Sequence, residues 1–128
     1  MAGHAKRVMV VDDASLVRLY YRDALERAGF QVEEALNGLE ALEKLASIPV
    51  DLLIVDVNMP RMDGFTFLQS LRAMPLPTSS IPSLVTSSEA EEHDKAAAHA
   101  AGANFYLVKP LSQEKLVEYA ALLCGVSP

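Results

Sequence analysis

A single cysteine, Cys124, stands in the 128 residues, so no internal disulfide can form and a metal site built on several cysteines is excluded. Positive charge is also scarce. Lys and Arg total 11 against 17 Asp and Glu, for a formal net charge of −6. Nonspecific nucleic-acid binding rests on Lys and Arg neutralising phosphates, and this balance argues against it. The same deficit argues against an anionic membrane surface. No run approaches the roughly 18 apolar residues of a membrane span. Met1 to Arg7 lacks the apolar stretch of a signal peptide. Neither membrane insertion nor direct DNA binding is expected, and the expected location is the cytoplasm. Repeats, low-complexity tracts and linkers are missing too, so residues 1–128 read as a single domain.

What the sequence has is a 51% hydrophobic content, ample for a core, arranged in short apolar runs that alternate with helical patterns. Val8 to Val11 is one such run, as a strand buried on both faces requires. From Ser15 to Ala28 the positions Val17, Tyr20, Tyr21, Ala24, Leu25 and Ala28 recur at helical spacing, and Gly29 stops the pattern. Gln31 to Ala35 makes a second, more exposed strand. Leu39, Leu42, Leu45 and Ala46 mark a short helix after Asn37-Gly38. Leu52 to Val55 is the next buried run. Phe67, Leu68, Leu71 and Met74 line a third helix after Gly64, which Pro75 and Pro77 end. Ser83 to Val85 is the fourth strand and has the faintest apolar signal. The alanine-rich stretch from Ala90 to Ala101 is helix-prone and closes at Gly102. Phe105 to Val108 is the fifth strand. A last helix runs from Ser112, a suitable N-cap, to Leu123. Five strand–helix units predict an α/β fold with a parallel sheet covered on both faces. For five strands the leading arrangement is the flavodoxin-like order 2-1-3-4-5.

In such sheets ligands bind outside the carboxyl ends of the strands. Asp12 and Asp13 follow the first strand, Asp56 follows the third, Thr86 ends the fourth and Lys109 follows the fifth. In the expected order those strands are neighbours, so carboxylates, hydroxyl and ammonium share one edge. Two carboxylates held roughly 4 Å apart repel by about 4 kcal/mol at an effective dielectric near 20. A hard divalent cation relieves that, and Mg²⁺ favours a few carboxylates with waters and phosphate oxygens. An Asp56 oxygen is a competent nucleophile toward phosphorus. Lys109 and Thr86 supply charge and a hydrogen-bond donor, and phosphoryl transfer asks mainly for positioning and neutralisation. Singly, each residue has a plainer reading. Asp12 and Asp13 suit a helix N-cap. Asp56 suits a turn before Met59-Pro60. Lys109 suits a solvated surface. Their joint occurrence at four adjacent strand ends is what favours the chemistry.

These residues resemble a family. Asp12-Asp13, the run from Asp56 to Gly64, Thr86 and Lys109-Pro110 are similar to the response-regulator receiver domains over essentially the whole chain. Arg18, Arg22, Gly29-Phe30, Val32 to Ala35 and the Asn58-Met59-Pro60 after Asp56 are most similar to the stand-alone chemotaxis regulators (CheY-like). The resemblance implies that Asp56 accepts a phosphoryl group from a histidine kinase or a phosphotransfer protein. It implies that Asp13, Asp56 and the main-chain carbonyl of Asn58 ligate Mg²⁺, with Asp12 acting through water. Lys109 and Thr86 would contact phosphoryl oxygens. Tyr106 would be an aromatic switch coupled to Thr86, and the Lys109-Pro110 bond would be cis. The chain would not be an enzyme in its own right, though it would assist its own phosphorylation and dephosphorylation. Output would leave by protein contact through the fourth helix, fifth strand and fifth helix. Glu91, Glu92, Lys95, Tyr106, Gln113, Lys115 and Glu118 fall there, and motility is the expected process. A monomer, or a weak dimer formed on phosphorylation, is the expected state.

Two positions depart from the chemotaxis pattern. Ser87 follows Thr86 where alanine is common, and Ser88 stands where glutamate is common. In the family, Asn58 and the Ser88 position tune access of water to the phosphoryl group. Four other functions compete with this reading. A haloacid-dehalogenase-type phosphatase also uses an aspartate nucleophile but wants a second aspartate two positions on, where this chain has Asn58. An interaction module without the chemistry, or an intermediate in a phosphorelay, would keep the same fold. A flavin binder would want hydroxyls and backbone donors where Asp12 and Asp13 stand.

Overall fold

The structure, a computed structural model, describes residues 5–88 and 92–126, with the side chains of Glu92 and His93 left aside. Strands and helices alternate as β1 (Arg7–Val11), α1 (Ser15–Arg27), β2 (Gln31–Ala35), α2 (Gly38–Leu45), β3 (Leu52–Asp56), α3 (Gly64–Arg72), β4 (Ser83–Ser87), α4 (Glu92–Ala101), β5 (Phe105–Val108) and α5 (Gln113–Cys124). A short 3₁₀ turn, Thr78–Ser80, lies between α3 and β4. All strand pairs are parallel and the order is β2-β1-β3-β4-β5, the flavodoxin-like topology that the alternation predicts.

The apolar runs at the centre of the sheet are no more than 1% exposed from Val8 to Val11 and from Leu52 to Val55. Burial on both faces explains why they do not alternate with polar residues. Side chains still alternate between two cores. Val8, Val10, Leu52, Ile54 and Leu84 pack with Tyr21, Leu25 and Leu116 of α1 and α5. Met9, Val11, Leu53, Val55 and Val85 pack with Leu45, Phe67, Leu71 and Ala98 of α2, α3 and α4.

Several boundaries move from their sequence positions. β4 runs two residues beyond Val85, and all five of its residues are buried. Its faint apolar signal has a cause: Ser83, Thr86 and Ser87 are polar but lie between β3 and β5. α3 ends at Arg72 rather than Met74. The expected start of the fourth helix at Ala90, and the output residue Glu91, lie outside the described residues; α4 is described from Glu92. Ser112 caps α5 as its position predicts, its hydroxyl accepting from the Lys115 N–H at 3.1 Å.

Candidate functional site

Register puts the polar strand ends in one row. Val11 pairs with Val55, so Asp12 continues β1 level with Asp56. Asp56 pairs with Thr86, and Thr86 with Leu107. Lys109 is two residues beyond Leu107 and returns to the same face. Asp12, Asp56 and Thr86 have the parity of Val10, Ile54 and Leu84, so all point to the face covered by α1 and α5. Asp12 is 1%, Asp56 6% and Thr86 0% exposed. Asp13 is exposed at the mouth.

The Lys109 ammonium stands 3.1 Å from Oδ2 of Asp12 and 3.1 Å from Oδ1 of Asp56. Asp12 and Asp13 are not helix caps. The N-cap of α1 is Ala14, which makes no side-chain cap bond. Asp12 instead shapes the loop: its Oδ1 accepts from the Ala14 N–H at 2.9 Å. Arg18 donates through Nη1 to the Asp12 carbonyl at 2.6 Å and through Nε to Glu34 at 2.8 Å.

One carboxylate oxygen each from Asp12, Asp13 and Asp56 lies within 4.8 Å of the others. Burial, then the Asp12 charge, raises the Asp56 carboxyl above its ordinary value, with Lys109 pulling the other way. Burial alone would lower the Lys109 ammonium; the hydrogen bond and charge of Asp12, with Asp56 behind them, outweigh it and hold Lys109 above its ordinary value. Three carboxylates facing one ammonium leave negative charge in excess. An all-oxygen, carboxylate-rich set open at Asp13 to water fits a hard divalent cation.

Thr86 Oγ1 is buried without a hydrogen-bond partner. Asn58 and Ser88 are exposed, the first on the β3–α3 loop and the second just past β4. That loop closes through the Gly64 N–H, which donates to the Val57 carbonyl at 2.9 Å. Asp63 caps α3 by accepting from the Thr66 N–H at 2.8 Å. Arg61 adopts the left-handed region, φ 71°. The Lys109-Pro110 bond is cis, and so is Leu76-Pro77, which sequence patterning did not single out.

Tyr106 pairs with Val85, one residue before the β5 position level with Thr86. It is partly buried and packs against the core under α2, α3 and α4, on the opposite sheet face from Thr86. Among the aromatic residues on Thr86's own face is Tyr21 of α1, 3% exposed. Pattern reading missed it because a tyrosine at helical spacing counts there as one more apolar residue. Tyr21 also lines a cleft of about 370 Å³ with Leu16, Val17, Tyr20, Lys109, Pro110 and Leu111. Of the expected output residues, Lys115 and Glu118 are exposed. Gln113 turns inward to α1 instead, donating to the Tyr20 carbonyl at 3.0 Å and to Asp23 Oδ2 at 3.3 Å.

The chain is similar to known proteins in sequence and in fold. The sequence profile of the response regulator receiver domain matches residues 8–121. The transcriptional regulatory protein PrrA of Mycobacterium leprae is 39% identical over 111 residues, 87% of this chain and 46% of that protein. PrrA of Mycobacterium tuberculosis is similar to the same extent. The chain thus spans about half the length of the curated relatives it matches. Among solved structures, Vibrio cholerae chemotaxis protein CheY4 is similar at a TM-score of 0.87 and 34% identity, over 94% of this chain and 99% of that one. The receiver domain of Francisella response regulator 1452 has a TM-score of 0.86 and 26% identity, over 94% and 97% of the two chains. Among the described residues no helix is long and apolar enough to cross a membrane.

Proposed function

This chain belongs to the response-regulator receiver domains of two-component systems, and we propose that Asp56 is its phosphoacceptor. The observation that carries the assignment is the Lys109 ammonium, 3.1 Å from both Asp12 and Asp56 at the carboxyl edge of the sheet. A carboxylate oxygen of Asp56 attacks phosphorus. The phosphorus–nitrogen bond to the donor histidine breaks, its electron pair stays on the imidazole, and that nitrogen takes up a proton. Lys109 and Thr86 hold two phosphoryl oxygens while charge spreads over them. Asp13, Asp56 and the Asn58 main-chain carbonyl would hold Mg²⁺, with Asp12 acting through water. Bound there, Mg²⁺ neutralises charge on the carboxylates and on the transferring group.

The product is an aspartyl phosphate, and its loss is hydrolysis at phosphorus. Exposed Asn58 and Ser88 flank the path of the attacking water and set its rate. The chain assists both steps but turns over no separate substrate. Its donor is a histidine kinase or a phosphotransfer protein, and the apolar cleft beside Lys109 suits the approach of a donor helix. Phosphorylation shifts a two-state population in which Thr86 and Tyr106 take part. A protein target reads the result on α4, β5 and α5, where Lys115 and Glu118 are exposed. Likeness to CheY4 over 99% of that chain favours a cytoplasmic role in motility.

Acetyl phosphate and Mg²⁺ test the core of this proposal, with Asp56→Asn alongside and intact mass as the readout. A single phosphoryl adduct on the parent, dependent on Mg²⁺ and missing from the variant, is expected. No adduct together with no beryllofluoride binding would overturn it.

A further inference from the structure

The main chain at Asp12 and Asp13 has an anchor outside the polar row. Arg18 stands one turn into α1, and a long helical side chain there runs back over the preceding turn. Its side chain is 11% exposed. The guanidinium donates through Nη1 to the Asp12 carbonyl at 2.6 Å and through Nε to Oε1 of Glu34 at 2.8 Å. Glu34 lies on β2, level with Val10 of β1. The Asp12 N–H donates to the Ala35 carbonyl at 3.1 Å. The Asp12 main chain is thus tied to β2 twice, directly through its N–H and through Arg18 at its carbonyl. That carbonyl shares one rigid peptide plane with the Asp13 N–H. Fixing the plane fixes where Asp13 begins, and the exposed Asp13 side chain has no burial to hold it. The N-cap of α1, Ala14, supplies no side-chain bond to this loop.

We propose that Arg18, held by Glu34, is a positioning residue for the divalent cation: it fixes the Asp12–Asp13 peptide so that the Asp13 carboxylate stays grouped with those of Asp12 and Asp56. The inference rests on the metal reading above. One oxygen from each of the three carboxylates lies within 4.8 Å of the others, and Arg18 keeps that spacing in place before the ion arrives. Arginine suits the task because its planar fork spans a carbonyl and a carboxylate at once and stays charged. Its charge taken alone would act the other way, since a cation beside the site repels a second cation. Glu34 offsets that charge, and what remains is the hold on the main chain.

The test compares the parent with Arg18→Met, Arg18→Lys, Arg22→Met and Asp13→Asn. Methionine keeps much of the aliphatic stem and removes the donors. Arg22 is the matched control. It lies one turn further along α1 and also pairs with Glu34, at 3.2 Å, but it donates to the Val32 carbonyl rather than to Asp12. The probe is Mn²⁺, which takes the same oxygen ligands as Mg²⁺, with the free ion read by electron paramagnetic resonance. Urea unfolding without metal is measured beside it. Arg18→Met is expected to weaken Mn²⁺ binding by about tenfold, as loss of support behind metal ligands does. Arg22→Met is expected to lose stability and to bind Mn²⁺ as the parent does. Arg18→Lys is expected to weaken binding by less than Arg18→Met, since an ammonium replaces the fork only in part. An unchanged or tighter affinity in Arg18→Met, or in Arg18→Lys if only that variant folds, would overturn the proposal. So would an equal loss in Arg22→Met, which would mark a general loosening of α1. A parent that binds Mn²⁺ no better than Asp13→Asn would instead bring down the metal site itself, and this inference with it.

Discussion

A Cβ built on Gly64 would stand 2.6 Å from the carbonyl oxygen of Asp56 and 3.0 Å from Cα of Val57. Both are main-chain atoms and cannot swing aside as the end of a side chain would. Gly64 also opens α3 and closes the loop on the Val57 carbonyl. Any side chain here must push the strand end that carries Asp56. Gly64→Ala is therefore expected to cost about 1–3 kcal/mol in urea unfolding. It should also slow adduct formation at Asp56 by about tenfold or more, since small misplacements of a reacting group are costly. A variant that loses stability but phosphorylates at the parent rate would place the strain in α3 alone.

Asp56 gives a pH prediction with a definite sign. Its carboxyl is raised in the folded protein, by burial first and by Asp12 second. Between the ordinary carboxylate value and the raised folded value, the folded state holds a proton that the unfolded chain has released. Stability from this group is greatest below the ordinary carboxylate value and is lost as pH rises through the folded value. In metal-free buffer at neutral pH, Asp56→Asn should be more stable than the parent. The gain should shrink as pH falls toward 4, about the ordinary carboxylate value. Denaturation curves at several pH values decide the matter. A parent more stable than the variant at neutral pH would mean that the Lys109 pair outweighs desolvation.

Metal addition should act in the same direction as charge removal. The three clustered carboxylates gain a counter-charge in the folded state and lose their common geometry on unfolding. At a Mg²⁺ concentration about ten times the dissociation constant, stability should rise by about 1.4 kcal/mol. Asp13→Asn should abolish most of that rise. Because Asp13 is exposed, its metal-free stability should stay within about 0.5 kcal/mol of the parent. Thermal unfolding across a MgCl₂ series reads both. A flat series for the parent would count against the metal site.

Legibility from sequence follows the range of the interaction. The alternation of strands and helices, and the polar residues Asp12, Asp56, Thr86 and Lys109 at the strand ends, came from local patterns: apolar runs, and the residue after each run. Those patterns are written along the chain. β4 was shortened because its buried serines and threonine are paid no attention by a hydropathy pattern, although two neighbouring strands bury them. Arg18 was legible as a mark of family resemblance and illegible as a donor to the Asp12 carbonyl. Which main-chain carbonyl a helix side chain reaches depends on how α1 lies over β1 and β2, and no local pattern encodes that. Arg72 was passed over for the same reason.

Arg72 closes α3, where a basic residue is unremarked because it suits the helix dipole. Its guanidinium does far more than that. It donates to the Gly102 carbonyl at 2.6 Å, to Ile81 at 2.7 Å and to Ser79 at 3.0 Å, and it reaches Ser83 Oγ at 3.2 Å. The proline-rich connection before β4 is thereby tied to the end of α4. Burial lowers the Arg72 guanidinium from its ordinary value, yet arginine keeps its charge at any working pH. Removing it strands several carbonyls at once, so Arg72→Ala should cost about 3 kcal/mol or more. Arg72→Lys should recover less than half of that, because a single ammonium cannot match a planar fork of five donors. All of these contacts lie at the amino edge of the sheet, opposite Asp56. Both variants, measured well below their unfolding midpoints, should therefore form the Asp56 adduct at the parent rate. A slowed adduct in a fully folded Arg72→Lys protein would show instead that the anchor of α4 is coupled to the phosphorylation site.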